Sequence, residues 1–275
     1  MKRCVISISL FLVTLLMQAN LVAAEDGKLT LSELHEQRTG LAQRQRRIIF
    51  NNDGDDIIGI RGLDPNTDRK QAMVTTPEGL LKLRTAALAG SQVDTIFYHS
   101  TYGMRGFIED GAFRTIYEYP DTYGATDNLR ALIENCGRDA MEVMVDWCRQ
   151  QGVEIFYSNR MNDVHDWYFP KLLAHIKVRH PQYTIGHARA EAGTDPAQTL
   201  ELMRKGKGPH TGLNFGVKVI RDLTVDAMRE VCRNYDIDGI DLDYFRSPRV
   251  FPEVGPEQIE QLTDMMRRIR VMTEE

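Results

Sequence analysis

Apolar positions along this chain follow two alternating rhythms. Short runs that suit strands, Ile48-Ile49-Phe50, Val93 to Tyr98, Val153 to Tyr157 and the stretch from Asp238 to Arg246, are separated by longer segments in which apolar residues recur at helical spacing. A helix is predicted after Thr75, which stands three residues before Glu78 as in a capping box, with Pro77 early in the turn, Leu80, Leu81, Leu83 and Leu88 following, and an end near Gly90. Leu129, Leu132, Ile133, Cys136, Ala140, Val143, Met144 and Trp147 trace a second, with a break expected at Gly137 and a stop at Gly152. A short helix is expected near Lys171 to Val178. A longer one opens at Thr224 and runs through Val225, Met228, Val231 and Cys232, and a last one follows Pro256, with Ile259, Leu262, Met265, Met266 and Ile269 on one side.

Strands alternating with helices predict parallel β/α units and an α/β class. Each predicted strand runs into a polar loop, which fits a (β/α) barrel of TIM type, where chemistry gathers at the carboxyl ends of the strands. About four such units can be counted, against the eight of a closed barrel. The expectation is therefore an amino-terminal half barrel over residues 47–275, either a piece of a longer protein or one that self-associates through its open sheet edges.

The amino terminus modifies this picture. Lys2 and Arg3, the apolar run from Val5 to Met17 and the small residues of Leu21-Val22-Ala23-Ala24 read as an export signal over residues 1–24, cleaved after Ala24. The run is short for a membrane span, so no stable anchor is expected once it is removed, although an uncleaved anchor is the alternative. Cys4 would leave with the leader. Residues 25–46 form a polar lead-in that runs into the basic stretch Arg44-Gln45-Arg46-Arg47. The predicted location is secreted or periplasmic.

Composition excludes more than it assigns. Loss of Lys2 and Arg3 makes the formal net charge of −5 two units more negative, the opposite of a nucleic-acid-binding balance. Cys136, Cys148 and Cys232 have neither disulfide nor zinc spacing and are expected as small core residues. No cofactor or metal motif is recognisable. His35-Glu36 lacks the second histidine of a zinc protease helix, no GxSxG elbow occurs, and Gly206-Lys207-Gly208 lacks the rest of a phosphate loop.

The fourth predicted strand carries the sharpest signal. Alternation sends Gly239, Asp241, Asp243 and Phe245 to one face and Ile240, Leu242 and Tyr244 to the other. Two carboxylates in an otherwise apolar, buried strand are costly, and chemistry is the reason expected for them, with an ion-paired or cap-forming acid pair as the alternative. They lie about 6 to 7 Å apart by strand rise, with Asp243 nearer the carboxyl end and Asp241 one layer deeper. The deeper acid is expected either to pair with Arg or Lys or to be pushed toward its neutral form by burial and its like-charged neighbour. Carboxylates held in different states are the apparatus of glycosidic bond cleavage.

The third strand leads into Tyr157-Ser158-Asn159-Arg160-Met161-Asn162-Asp163-Val164-His165-Asp166-Trp167. This mixture could hold a sugar through hydroxyl hydrogen bonds and ring stacking; a solvated loop in which Arg160 pairs Asp163 is the alternative. After the first strand, Asn51-Asn52-Asp53-Gly54-Asp55-Asp56 departs from a calcium loop, since Gly62 stands where the terminal glutamate belongs. Asn52 and Asp53 are expected to face substrate, with Gly54 to Asp56 as turn residues. His99 and Tyr102 are weaker candidates for the same end of the sheet.

Together YDIDGIDLDYFR (235–246), NRMNDVHDW (159–167), IFNNDGDD (49–56) and RHPQYTIG (179–186) resemble the family-10-like glycosyl-hydrolase proteins of bacteria, over about residues 46 to 275. The resemblance implies an exported eight-unit (β/α) barrel that acts on, or binds, carbohydrate. It also puts Asp243 where related amylase-like barrels carry a nucleophile. DGIDLDYF is similar to the chitinase-type pattern DGxDxDxE as well, but Phe245 stands where its catalytic glutamate would be, and phenylalanine cannot protonate a glycosidic oxygen.

The expected activity is thus cleavage of glycosidic bonds in a polysaccharide or oligosaccharide. Asp243 would be nucleophile or charge stabiliser, Asp241 a supporting acid, and Asn52, Asp53, Arg160, Asn162, Asp163, His165, Asp166 and Arg246 the substrate-binding set. Two alternatives stay open: a non-catalytic carbohydrate-binding barrel fragment, and a metal-dependent hydrolase using Asp53, His165, Asp241 and Asp243.

Overall fold

The computed structural model describes residues 48–57, 76–99, 127–167, 173–206 and 210–274, with scattered residues between 30 and 46. The leader, Cys4 and Tyr102 lie outside the described residues. The chain divides into two compact units, Met1–Gln45 and Arg46–Glu275. In the first, the Thr30 hydroxyl and the Glu33 carboxylate exchange hydrogen bonds with each other's backbone N–H, the geometry of a capping box.

The second unit is an α/β fold. Four parallel strands, β1 (Ile49–Asn52), β2 (Thr95–Tyr98), β3 (Glu154–Arg160) and β4 (Gly239–Asp243), pair in chain order. Helices α1 (Pro77–Arg84), α2 (Asp127–Cys136) and α3 (Ala140–Gln151) precede β3. Three short helices, α4 (His175–Arg179), α5 (Ile185–Ala188) and α6 (Pro196–Arg204), fill the β3 to β4 connection before α7 (Lys218–Asn234), and α8 (Pro256–Met272) follows β4.

Local chemistry explains most boundaries. The cap of α1 is Thr76, one residue after the expected Thr75; its hydroxyl accepts the Gly79 N–H at 3.1 Å and Pro77 takes the first helical position. Gly137, at φ 65°, separates α2 from α3. Asp139 and Glu142 then close a capping box on α3. Thr224 does not open α7, which starts six residues earlier. Thr224 lies inside it, buried, with its hydroxyl donating to the Ile220 carbonyl at 2.8 Å.

One face of the sheet is the core. Ile96, Tyr98, Ile155 and Tyr157 are fully buried in a cluster with Met141, Met144 and Cys148 of α3 and Val225, Met228 and Val231 of α7. Cys148 is buried there, while Cys136 and Cys232 are half-buried, and none of the three forms a disulfide among the described residues. Burial pushes the Cys148 thiol up to about 12, so it behaves as an apolar residue.

β4 is shorter and wetter than expected. It ends at Asp243 rather than Arg246, and all five residues are half-buried, because β4 is the last strand of the described sheet and has a neighbour only at β3. A clamp before the strand sets its pairing. Arg149 at the end of α3 bonds Asp236 through Nε at 3.0 Å and Asp238 through Nη1 at 2.7 Å, and Asp238 accepts the Ile155 N–H of β3 at 2.8 Å. Among the described residues, no helix is long and apolar enough to cross a membrane.

Candidate functional site

The register stacks the second face of the sheet into rows. Thr95 lies beside Glu154; Asn51, Phe97, Phe156 and Gly239 form the next row; Ser158 lies beside Asp241, and Arg160 beside Asp243. Phe97 and Phe156 stack with ring centroids 5.0 Å apart. Gly239 leaves room for the Phe156 ring, since a β-carbon there would lie 2.3 Å from it. Apolar side chains thus floor the face, and the two acids of β4 stand above them toward the carboxyl end.

The acids differ in surroundings. Asp241 accepts a hydrogen bond from the Ser158 hydroxyl at 2.7 Å. Burial first, and then the neighbouring Asp243 charge, raise its pKa above the ordinary carboxylate value, while the Ser158 hydrogen bond opposes them. No arginine or lysine pairs with it among the described residues, so of the two states expected for the deeper acid the structure selects the desolvated one. Asp243 closes the strand. Its carboxylate accepts the Phe245 N–H at 2.8 Å, its carbonyl accepts the Met161 N–H at 2.9 Å, and the turn leaves the Phe245 ring 92% exposed.

Around this pair runs a chain of charges linking three loops. Arg160, buried at the end of β3, donates through Nη2 to the Asp53 carbonyl at 3.0 Å, and its guanidinium lies 3.7 Å from the Asp53 carboxylate and 3.5 Å from that of Asp163. Arg84 of α1 pairs with Asp53. Asp163 Oδ1 accepts the His165 backbone N–H at 2.9 Å and lies 2.6 Å from His165 Nδ1, while Arg246 Nη2 lies 3.3 Å from His165 Nε2. Asp53, Arg160, Asp163, His165 and Arg246 are therefore brought together with the β4 acids. Gly54 allows the β1 loop to approach: at φ 74° it presses on the His99 carbonyl, where a β-carbon would lie 1.9 Å from the oxygen. His99 itself reaches the Ser158 carbonyl, with Nδ1 at 2.9 Å.

Three expected binding residues sit within the scaffold instead. Asn52 is fully buried, donating to Asp56 at 3.0 Å and accepting the Gly54 N–H at 3.1 Å. Asn162 donates to the Leu213 and Arg249 carbonyls and accepts the Leu213 N–H, tying the β3 loop to two distant segments. Asp166 is buried against Lys177 Nζ at 2.6 Å and also accepts from the Thr211 hydroxyl. All three carry short polar side chains that serve loop architecture as readily as substrate, and sequence spacing alone does not separate the two uses.

Three useful residues escaped the sequence reading. Ser158 holds Asp241, and counting back along β3 from Arg160 in steps of two would have found it. Arg84 neutralises Asp53 from a helix, and Lys177 reaches both Asp166 and the Asp163 carbonyl, the latter at 2.8 Å. Neither had a local signal. Among the described residues, no three His, Cys, Asp or Glu side chains converge as a metal-binding group, so the divalent-ion alternative has no donor set there. Comparison of the chain with models of known protein families and with curated proteins returned no match.

Proposed function

We propose that this chain is a carbohydrate-active hydrolase that cleaves glycosidic bonds, its four β/α units forming part of a TIM-type (β/α) barrel. The observation that carries the reading is the Asp241 and Asp243 pair. Two carboxylates on one sheet face lie at successive depths, one pushed toward its neutral form and one at the carboxyl end of the strand beside Arg160. Barrel enzymes keep their chemistry at that end, and sugar cleavage needs carboxyl groups in unlike states. The exposed Phe245 ring next to Asp243 offers the apolar platform on which sugar faces stack. The motifs that resemble those of family-10-like glycosyl hydrolases and the leader-like amino terminus support the same reading and an exported location.

In this reading Asp243 is the nucleophile or charge stabiliser, and Asp241, held by Ser158 and with its pKa raised by burial, is the supporting acid beneath it. Arg160 and Asp53 fix the loops that would close on the sugar. The test is turnover by the full chain on oligosaccharides derived from starch, cellulose, xylan and chitin, with Asp243→Asn in parallel. Turnover that survives the substitution removes the nucleophile assignment. Saturable binding of a sugar without any turnover favours the carbohydrate-binding alternative.

A further inference from the structure

We propose that His165 is the proton-transfer residue of this site and Asp163 its positioning residue; the proposal rests on the hydrolase reading and supplies the partner that Asp243 lacks in it. Glycosidic cleavage needs a proton donor facing the attacking group across the bond, conventionally a second carboxyl about 5 to 9.5 Å away. Asp241 is poorly placed for that task. It lies on the same strand and the same face, one row below Asp243, with an oxygen already bonded to Ser158. His165 comes from the neighbouring β3 loop and reaches toward the segment after Asp243, where Arg246 meets its Nε2.

The imidazole is fixed from several sides. One oxygen of Asp163 receives both the His165 backbone N–H and Nδ1, which sets the ring orientation and the tautomer with Nδ1–H toward the carboxylate. Asp163 is itself supported by Arg160 on its carboxylate and by Lys177 on its carbonyl, and Lys177 is anchored by Asp166. The side chains of Arg160 and Lys177 are each 5% exposed and that of Asp166 is 3% exposed, whereas His165 is 42% exposed. A merely solvated loop histidine has no need of three buried charged residues beneath it. This support holds Nε2, the end of the ring that meets Arg246, at a partly exposed position.

The step balances as follows. With His165 as the imidazolium, its Nδ1–H held by Asp163, and with Arg246 displaced by a sugar oxygen, Nε2–H passes its proton to the glycosidic oxygen while the bond from that oxygen to the anomeric carbon breaks, the bonding pair remaining on oxygen. The Asp243 carboxylate bonds to, or faces, the anomeric carbon. Water then bonds to that carbon, any bond to Asp243 breaks, and the proton from water returns to Nε2. One glycoside and one water become two shorter sugars, and His165 ends in its starting state.

The experiment compares the full-length wild type, His165→Gln and Asp163→Asn on the oligosaccharides above and on matched 2,4-dinitrophenyl glycosides, whose leaving group needs no proton. His165→Gln is expected to lower kcat/KM by about 10²- to 10⁴-fold on the oligosaccharides, the usual span for a lost acid-base group, and by no more than about tenfold on the dinitrophenyl glycosides. Asp163→Asn should fall between, and nitrogen NMR should show His165 losing its single tautomer. An unchanged thermal midpoint for His165→Gln, expected from its exposure, separates chemistry from unfolding. Equal loss on both substrate classes, or none, overturns the proposal and leaves the hydrolase reading standing. A wild type that turns over no substrate overturns both.

Discussion

The two ends of the same sheet face handle charge in opposite ways. At the amino end, Glu154 is buried and gripped by Arg46 through Nε at 2.6 Å and Nη2 at 3.1 Å, with the Thr95 hydroxyl adding a third bond at 2.9 Å. The Arg46 guanidinium also lies over the Phe156 ring, 5.2 Å from its centroid. Acid meets base directly there, with the hydroxyl beside them. At the carboxyl end, Asp53, Asp163, Asp241 and Asp243 share Arg84, Arg160, His165 and Arg246 unevenly, and Asp241 has a hydroxyl rather than a cation. Strand alternation supplies the polar positions at both ends; pairing decides whether a position serves stability or remains available for chemistry.

Substitutions can break that contrast. The largest effect belongs at the carboxyl end, where Asp243→Asn is expected to lower turnover on the order of 10³-fold, measured at saturating substrate, with little change in thermal midpoint. At the amino end the pattern should invert. Glu154→Ala leaves Arg46 without its buried partner and should cost about 3 kcal/mol in denaturant unfolding, while turnover per folded molecule is kept. A turnover loss there as large as that of Asp243→Asn would erase the distinction between the two ends.

Between the ends, Gly239→Ala drives a methyl group into the Phe156 ring and should destabilise by about 1–3 kcal/mol, read from the unfolding midpoint. The smallest effect concerns Asp241. Its pKa is raised in the fold, first by burial, so its stability contribution is intact below the unfolded value of 3.8 and is lost as pH rises through the higher folded value. Asp241→Asn avoids that loss. The variant should melt above wild type at neutral pH, with the difference closing below pH 3.8. A uniform difference across pH would show that packing, rather than ionisation, separates the two proteins.

Much of the scaffold was legible from periodicity. All four strands, the break at Gly137 and the Pro256 start of the last helix follow from local pattern, because each is fixed by residues within a turn or a strand of one another. The misplacements have equally local causes. Thr75 and Thr76 are adjacent equivalents, and Thr224 mimics a cap while sitting inside a helix. The site was harder to read. Asp241 and Asp243 announce themselves through burial cost, but Asn162 finds its partners 51 and 87 residues away, and Asp166 finds its own 11 and 45 away. Such partners appear only when the chain has folded, which is why the third-strand loop reads in sequence as a uniform set of ligands and divides in three dimensions into supports and candidates.

The clamp of Arg149 on Asp236 and Asp238 has a consequence beyond the ion pairs it contains. Surface pairs of this kind contribute little to stability. Here, however, the clamp fixes the phase of an edge strand, and a slip of one residue would turn Asp241 and Asp243 into the helix-packed core and present Ile240 and Leu242 in their place. Which side of the sheet carries acid is thus decided outside the strand, by one arginine at the end of α3, the helix before β3. A strand whose own residues are only half-buried takes its orientation from a clamp placed just before it.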